Sequence, residues 1–151
     1  MNKANEYLKK IDNVIANGKF KDNWESLSAF KTPSWYREGR FGIFIHWGVY
    51  SVPAYYNEWY PRLMYIKGQK SNLHHAKTYG MDFEYRHFIE QFKPERFNAD
   101  EWAEIFKKSG AKYIMPVGEH HDGYKMYDSD LSQWTSVKQA PHCDILGELK
   151  K

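Results

Sequence analysis

Two short apolar runs along the chain each end in histidine, and both runs predict β-strands. Residues 41–45 are apolar apart from one glycine, and the run stops at Gly48, which is typical of a buried strand. Alternation along such a strand puts Gly42, Phe44 and His46 on one face. Apolar residues on both faces indicate a parallel strand, and parallel sheets bind ligands beyond the carboxyl ends of their strands. We therefore predict that His46 lies at a functional site.

The second run, residues 113–117, repeats this pattern and is followed at once by ionisable side chains. These are Glu119, His120, His121 and Asp122. The two strands should therefore share one pocket at their carboxyl ends. Pro116 lies inside the second run and has no N–H for a sheet ladder, so we predict a bulge or a break there. A bulge would turn both histidines toward the mouth of the pocket.

Two segments that precede the second predicted strand have the periodicity of amphipathic helices. Leu8, Ile11, Val14 and Ile15 recur at helical spacing, and Asn17 with Gly18 provides a stop signal. Further along, Asn98 and Glu101 have the spacing of a capping box. The helix that they start is predicted to bury Trp102, Ile105 and Phe106 and to end at Gly110. A helix at this place would be the crossover between two parallel strands.

The loop that follows the first strand, residues 49–61, is rich in aromatic side chains. Within it Glu58 and Trp59 offer a carboxylate acceptor beside an apolar ring, a combination suited to a sugar. The alternative is that Glu58 caps a turn and Trp59 packs in the core. The adjacent pair His74 and His75 has no third ligand close in sequence, so we expect both to be surface residues.

Composition excludes several classes of protein. No window approaches the 18 or more apolar residues of a membrane span. Charged residues interrupt the first 18 positions, where the apolar core of a secretory signal would lie. We therefore expect a cytoplasmic protein without a membrane partner. A single cysteine, Cys143, excludes an internal disulfide. The net charge of +3 is small and its basic residues are scattered, so we expect no nucleic-acid partner.

Several motifs in one order resemble the N-terminal part of the α-L-fucosidase family of glycoside hydrolases. They are Phe41-Gly-Ile-Phe-Ile-His-Trp-Gly48, Tyr50-Ser-Val-Pro53, Asn57-Glu-Trp-Tyr60, Glu119-His-His-Asp-Gly-Tyr124 and Ser132-Gln-Trp-Thr-Ser-Val137. The resemblance runs from about Trp35 to the last residue. It implies a (β/α)8 barrel and a retaining mechanism. A whole barrel needs about 250 residues, so 151 residues would provide only its first part.

The resemblance also implies a domain organisation and a set of substrate-binding residues. Residues 1–31 would be a helical extension, and residues 32–151 the first part of a catalytic domain that needs downstream barrel units. His46, Glu58, Trp59, His120 and His121 would bind fucose. The nucleophile would lie outside this chain, with Glu58 as the carboxylate that assists proton transfer. A fucosylated oligosaccharide or glycoconjugate would be the substrate, no cofactor or metal is implied, and homo-oligomerisation of the complete protein stays open.

Two other functions compete with this interpretation. A metal-dependent hydrolase would use His46, His120, His121 and Asp122 as ligands, although adjacent histidines on one strand are badly placed for chelation. A sugar-binding or inactive remnant would need no nucleophile. Two departures from the family bear on the site: many members have an aliphatic residue for Pro116 and a lysine for Glu119, which leaves the role of Glu119 open.

Overall fold

The computed structural model describes residues 3–151 and has an α/β architecture. Over these residues no helix combines the length and the apolar content that crossing a membrane requires. The helices are α1 (Lys3–Asn17), α2 (Trp24–Ser28), α3 (Ser34–Gly39), α4 (Tyr60–Leu63), α5 (Lys70–Thr78), α6 (Ala99–Lys108) and α7 (Ile145–Lys150); the strands are β1 (Gly42–Ile45) and β2 (Tyr113–Pro116); short 3₁₀ helices cover Val49–Ser51 and Tyr85–Gln91.

The described chain forms two compact units, which divide after Arg40. The sequence placed a division earlier, between residues 31 and 32, and the first two residues of that predicted extension lie outside the described part. In the first unit α1 ends at Asn17, as its stop signal predicts. Its apolar side chains, such as Val14 and Ile15, are 67% and 60% exposed. The apolar face of α1 is therefore not covered within its own unit.

The second unit is built on a two-stranded parallel sheet of β1 and β2, joined by α6 as the crossover helix. Asn98 caps α6, because its side chain accepts a hydrogen bond from the backbone N–H of Glu101 at 3.1 Å. Gly42 pairs with Tyr113 in the sheet. The tyrosine ring lies where a Cβ at residue 42 would stand, so any larger residue there would have to displace that ring.

Pairing continues through Pro116, so the predicted bulge is wrong. Ile45 is the direct partner of Pro116, and the backbone N–H of the next residue, Val117, donates to the carbonyl of Ile45 at 3.0 Å. Donors alternate along a strand, so the nitrogen of Pro116 points to the other edge of β2. Within residues 3–151 that edge pairs with no strand. The missing N–H therefore costs the sheet no hydrogen bond.

The two faces of the sheet differ in their packing. On one face Trp47 contacts the rings of Phe92, Phe97 and Trp102, with centroids 5.2–5.5 Å apart. On the other face Phe44 and its cross-strand partner Met115 are 62% and 52% exposed. The expectation that the strands are buried on both faces is wrong for this chain, because nothing in the second unit covers the Phe44 side.

The core of the second unit lies in the segments between the strands. Tyr60, Met64 and Phe88 are fully buried. His75 joins them, so the prediction that it is a surface residue is wrong: its Nε2–H donates to the carbonyl of Phe83 at 2.6 Å, and its Nδ1 then accepts from the Tyr60 hydroxyl at 2.9 Å. Helix α6 is less buried than predicted, because Ile105 is 54% exposed.

Candidate functional site

Three side chains from separate parts of the chain meet beyond the carboxyl ends of the strands. His46 follows β1, Glu58 comes from the aromatic loop, and His120 follows β2. One ligand atom of each side chain lies within 4.8 Å of the corresponding atoms of the other two. Parallel strands end at the same edge of a sheet, which explains why the two histidines come together. The structure thus places these three predicted site residues side by side.

His120 is packed among aromatic rings at the centre of this group. Its ring contacts the rings of His46, Tyr50 and Trp59, with centroids 5.2–6.0 Å apart. Burial, followed by the neighbouring charge of His121, lowers the pKa of His120 below the usual 6.5. Its Nδ1 is buried and has no hydrogen-bond partner among the described residues. A neutral imidazole with an unused nitrogen is ready to bind a polar ligand.

Trp59 and His121 complete the set of predicted site residues. Their rings are stacked, 4.5 Å apart and 15° from parallel. The Nε2–H of His121 donates to the backbone carbonyl of Glu58 at 3.1 Å. The aromatic loop and the segment after β2 are thereby joined at this point. Trp59 is 47% exposed, so much of its surface remains available to a ligand.

The turn that carries the two histidines is held by Asp122. The hydroxyl of Tyr85 donates to one oxygen of Asp122 at 2.8 Å, and the backbone N–H of Tyr124 donates to the other at 3.1 Å. Burial and the Asp122 charge raise the pKa of Tyr85, so this hydroxyl stays a donor. Sequence reasoning missed Tyr85, because nothing in its local pattern indicates a partner 37 residues away.

Tyr50 is a further site residue that sequence reasoning did not single out. Its ring lies against His120, and only 7% of the residue is exposed. Burial, then the charges of Asp122 and Glu58, raises the pKa of Tyr50 to about 12. Its buried hydroxyl has no partner within residues 3–151. It therefore supplies a neutral hydrogen-bond donor beside the histidines.

Other polar residues near the second strand form structural contacts within the chain. Glu119, whose role the sequence left open, pairs with Lys125 at 2.9 Å, and the two residues also form a β-bridge. The hydroxyl of Ser136 donates to the carbonyl of Cys143 at 2.6 Å. Both groups therefore stabilise the loops behind the site.

Two cavities lie along these residues. The smaller, of about 300 Å³, is lined by His46, Tyr50 and Glu58 among others. The larger, of about 650 Å³, is lined by Trp59, His121 and Asp122 among others. Neighbouring residues in sequence thus face different cavities. The arrangement can hold one polar ring-sized ligand at the histidines and a second group beyond Trp59.

The three converging side chains also have the chemistry of a metal site. Two imidazoles and one carboxylate are ligands that zinc accepts. The ligand set differs from the one expected for a metal-dependent hydrolase. Both oxygens of Asp122 already accept hydrogen bonds, and the Nε2 of His121 is held by the carbonyl of Glu58. Only His46, Glu58 and His120 fit a shared ion in the described part of the chain.

Comparison with known proteins agrees with this geometry. The sequence profile of the α-L-fucosidase family matches residues 7–151. The chain belongs to this family. Its relatives include the α-L-fucosidase of Dictyostelium discoideum, 39% identical over 153 residues that cover 96% of this chain and 33% of the relative. The plasma α-L-fucosidase of Homo sapiens is 39% identical over 142 residues, covering 87% of this chain and 29% of the human protein.

Solved structures of α-fucosidases resemble this fold. The Thermotoga maritima α-fucosidase in complex with fucose superposes with a TM-score of 0.82 at 41% identity, covering 86% of this chain and 33% of that protein. This chain therefore spans about a third of the length of the fucosidases that it matches, and it corresponds to their N-terminal region.

Proposed function

We propose that this chain is the N-terminal part of a retaining α-L-fucosidase that hydrolyses terminal α-L-fucosides. The observation that carries the proposal is the convergence of His46, Glu58 and His120 beside the stacked rings of Trp59 and His121. Family membership supports this substrate class, since relatives of this chain are α-L-fucosidases. The α-fucosidase of T. maritima is known in complex with fucose.

In this proposal the histidines and Glu58 bind the sugar hydroxyls, and Trp59 shields one face of the ring. Imidazole nitrogens donate and accept, whereas the carboxylate only accepts, so the group can satisfy several adjacent hydroxyls. The buried Tyr50 hydroxyl adds one donor. The unused Nδ1 of His120 supports the assignment, because a buried polar atom without a partner costs about 1–3 kcal/mol unless a ligand satisfies it.

The nucleophile is proposed to lie outside this chain. A retaining glycosidase uses two carboxyl groups about 5–5.5 Å apart. Three carboxylates line the two cavities, and two of them have structural partners: Glu84 pairs with Arg86 at 2.7 Å, and Asp122 accepts from Tyr85 and Tyr124. Glu58 is therefore the carboxylate beside the histidines that we propose assists proton transfer.

A (β/α)8 barrel completed by downstream units is the fold that we propose for the whole protein. The exposed face of Phe44 and Met115 supports this, because the interior of such a barrel is filled by side chains from all its strands. The chain alone should therefore hydrolyse no fucoside. With two strands and unpaired edges it should also be aggregation-prone or only marginally folded.

Two alternative functions predict different results in activity assays. A sugar-binding remnant would bind fucose but would remain inactive when downstream units are supplied. A metal-dependent hydrolase is favoured by one observation, the three ligand atoms that could share an ion. It would require the metal for activity, so a chelator would abolish turnover that the fucosidase mechanism leaves unchanged.

The test uses this chain joined to the remaining two thirds of the T. maritima α-fucosidase, a fusion called the extended protein. We expect the extended protein to hydrolyse 4-nitrophenyl α-L-fucoside with or without chelator, and this chain alone to show no turnover. The downstream T. maritima part alone is the control. A soluble, folded extended protein without activity would contradict the proposal, and so would turnover by this chain alone.

A further inference from the structure

A tight turn carries the two histidines that follow β2, and an ion pair closes it. Glu119 and Lys125 form an antiparallel β-bridge, and the Lys125 ammonium lies 2.9 Å from a carboxylate oxygen of Glu119. One residue further from the turn on each side, the backbone N–H of Met126 donates to the carbonyl of Gly118 at 2.8 Å. Residues 120–124 are therefore enclosed between two arms that the ion pair joins.

The same ammonium also binds a backbone group inside the turn. Lys125 Nζ donates to the carbonyl of Gly123 at 3.1 Å, and the backbone N–H of Gly123 donates to the carbonyl of His120 at 3.0 Å. Gly123 has a φ of +73°, which glycine adopts without strain. Two successive hydrogen bonds thus connect the ammonium to the backbone of His120, the residue whose buried Nδ1 has no partner among the described residues.

Lys125 is itself held in place by a neighbouring segment. Its backbone N–H donates to the carbonyl of Trp134 at 2.9 Å, and its carbonyl accepts from the N–H of the fully buried Ser136 at 2.7 Å. The Lys125 side chain is 18% exposed, whereas the ion-paired Lys108 and Glu104 on α6 are 77% and 68% exposed. Charged hydrogen bonds that are partly shielded from water contribute more than exposed ion pairs do. The Lys125 ammonium is therefore well placed to restrain the turn.

This ion pair lies outside the space that a sugar would occupy. Within residues 3–151, the two cavities beside the histidines are lined by other side chains, and neither Glu119 nor Lys125 contributes to them. The ammonium is directed at Glu119 and at the carbonyl of Gly123. Lys125 can therefore influence a bound sugar only through the residues of the turn.

We propose that Lys125 is a positioning residue for the histidine site. By binding Glu119 and Gly123 together, it fixes the turn that holds the His120 ring beside that of His46, with centroids 5.6 Å apart. Loss of the ammonium leaves two acceptors without this donor, so the turn becomes free to move. The effect on fucose binding rests on the proposed function, whereas the effect on the position of His120 does not.

Variants of the extended protein test the proposal by NMR of the histidine ring nitrogens and by calorimetric titration with L-fucose. Lys125→Met removes the ammonium and keeps an unbranched side chain. We expect it to shift the His120 signals of the free protein and to weaken L-fucose binding about fivefold or more, the scale of one hydrogen bond. Lys125→Arg keeps a charged donor and should recover both. Lys108→Met, which breaks the exposed pair on α6, is the matched control and should change neither.

A double-mutant cycle tests whether Lys125 acts through Glu119. Glu119→Gln combined with Lys125→Met should weaken L-fucose binding no more than Lys125→Met alone, because both changes remove the same contact. Fully additive losses would contradict the coupling. A Lys125→Met variant that unfolds more easily, but keeps the His120 signals and the L-fucose affinity of the parent, would overturn the inference and leave only a structural role.

The outcomes also separate this inference from the proposed function. If the parent binds no L-fucose while Lys125→Met still shifts the His120 signals, the inference holds and fucose recognition is contradicted. If Lys125→Met does not fold, Glu119→Gln carries the same measurement, since Lys125 then keeps its hydrogen bond to Gly123. Unmoved His120 signals in that variant would overturn the inference.

Discussion

The chain contains two pairs of histidines that are adjacent in sequence, His74 with His75 and His120 with His121, and the two pairs have different roles. In the first pair, His75 is buried and both its ring nitrogens are bonded, to Tyr60 and to Phe83. In the second pair, His120 keeps one buried nitrogen without a partner among the described residues, and His121 stacks on Trp59. The same dipeptide is thus structural at one place and a candidate for binding at the other. Hydrogen-bond satisfaction, and not burial alone, tells them apart.

The largest expected effect is on stability, from His75→Ala. The change removes a fully buried ring and leaves the Phe83 carbonyl without its donor, so we expect the free energy of unfolding of the extended protein to fall by about 3 kcal/mol or more. Urea unfolding measures it. His74→Ala is the matched control: the His74 ring stacks on Tyr55, with centroids 3.7 Å apart, and meets Tyr79 edge-on, so its loss should cost about 1 kcal/mol. Equal effects would contradict the structural role of His75.

The next effect is on activity, from His46→Ala. Loss of one positioned polar group should lower fucoside hydrolysis by the extended protein about 10²-fold or more, with the unfolding free energy nearly unchanged because His46 is exposed. The assay is turnover of an aryl fucoside. His142→Ala, which removes an exposed histidine that lines neither cavity, should leave the rate unaltered. An unchanged rate for His46→Ala would remove this residue from the site.

A smaller effect is expected from Tyr85→Phe. This variant removes the hydroxyl that donates to Asp122 and so loosens the turn that carries His120 and His121. We expect affinity for L-fucose to fall about fivefold, the value of one hydrogen bond of about 1 kcal/mol. Calorimetric titration of the extended protein measures it. Tyr7→Phe, in the first unit, is the control; if both variants bind equally well, Asp122 does not depend on Tyr85.

The smallest effect concerns pH. The pKa of His120 is lowered in the folded protein, so the unfolded state binds more protons below about pH 6.5 and the free energy of unfolding falls as the pH drops through that range. Above it, this contribution to stability is fully present. His120→Gln should reduce the slope of unfolding free energy against pH below about pH 6.5. The same slope in the variant would show that His120 is not the group responsible.

Local patterns predicted the parts of the fold that depend on neighbours in sequence. The two strands, the end of α1 and the Asn98 cap of α6 lie where the sequence put them. The position of His46 at the end of β1 followed from the same reasoning. Parallel pairing was also confirmed, because a helix of ten residues between two strands favours a crossover.

Features that depend on distant partners could not be predicted in this way. The burial of His75 depends on Tyr60, fifteen residues earlier, and the role of Asp122 depends on Tyr85. Pro116 was misjudged because the alternation of donors, which turns its nitrogen to the unpaired edge of β2, is set by the register with β1. Sequence shows which residues are present, but not which hydrogen bonds are already satisfied.

The most direct test of fucose binding is a titration of the extended protein with L-fucose, followed through the histidine ring nitrogens by NMR. We expect the signals of His46, His120 and His121 to shift with increasing sugar, while those of His74 and His75 stay in place. D-fucose, the mirror image, should cause much smaller shifts. If the site histidines do not move at saturating L-fucose, or if the His75 signals move instead, the account of the two histidine pairs is wrong.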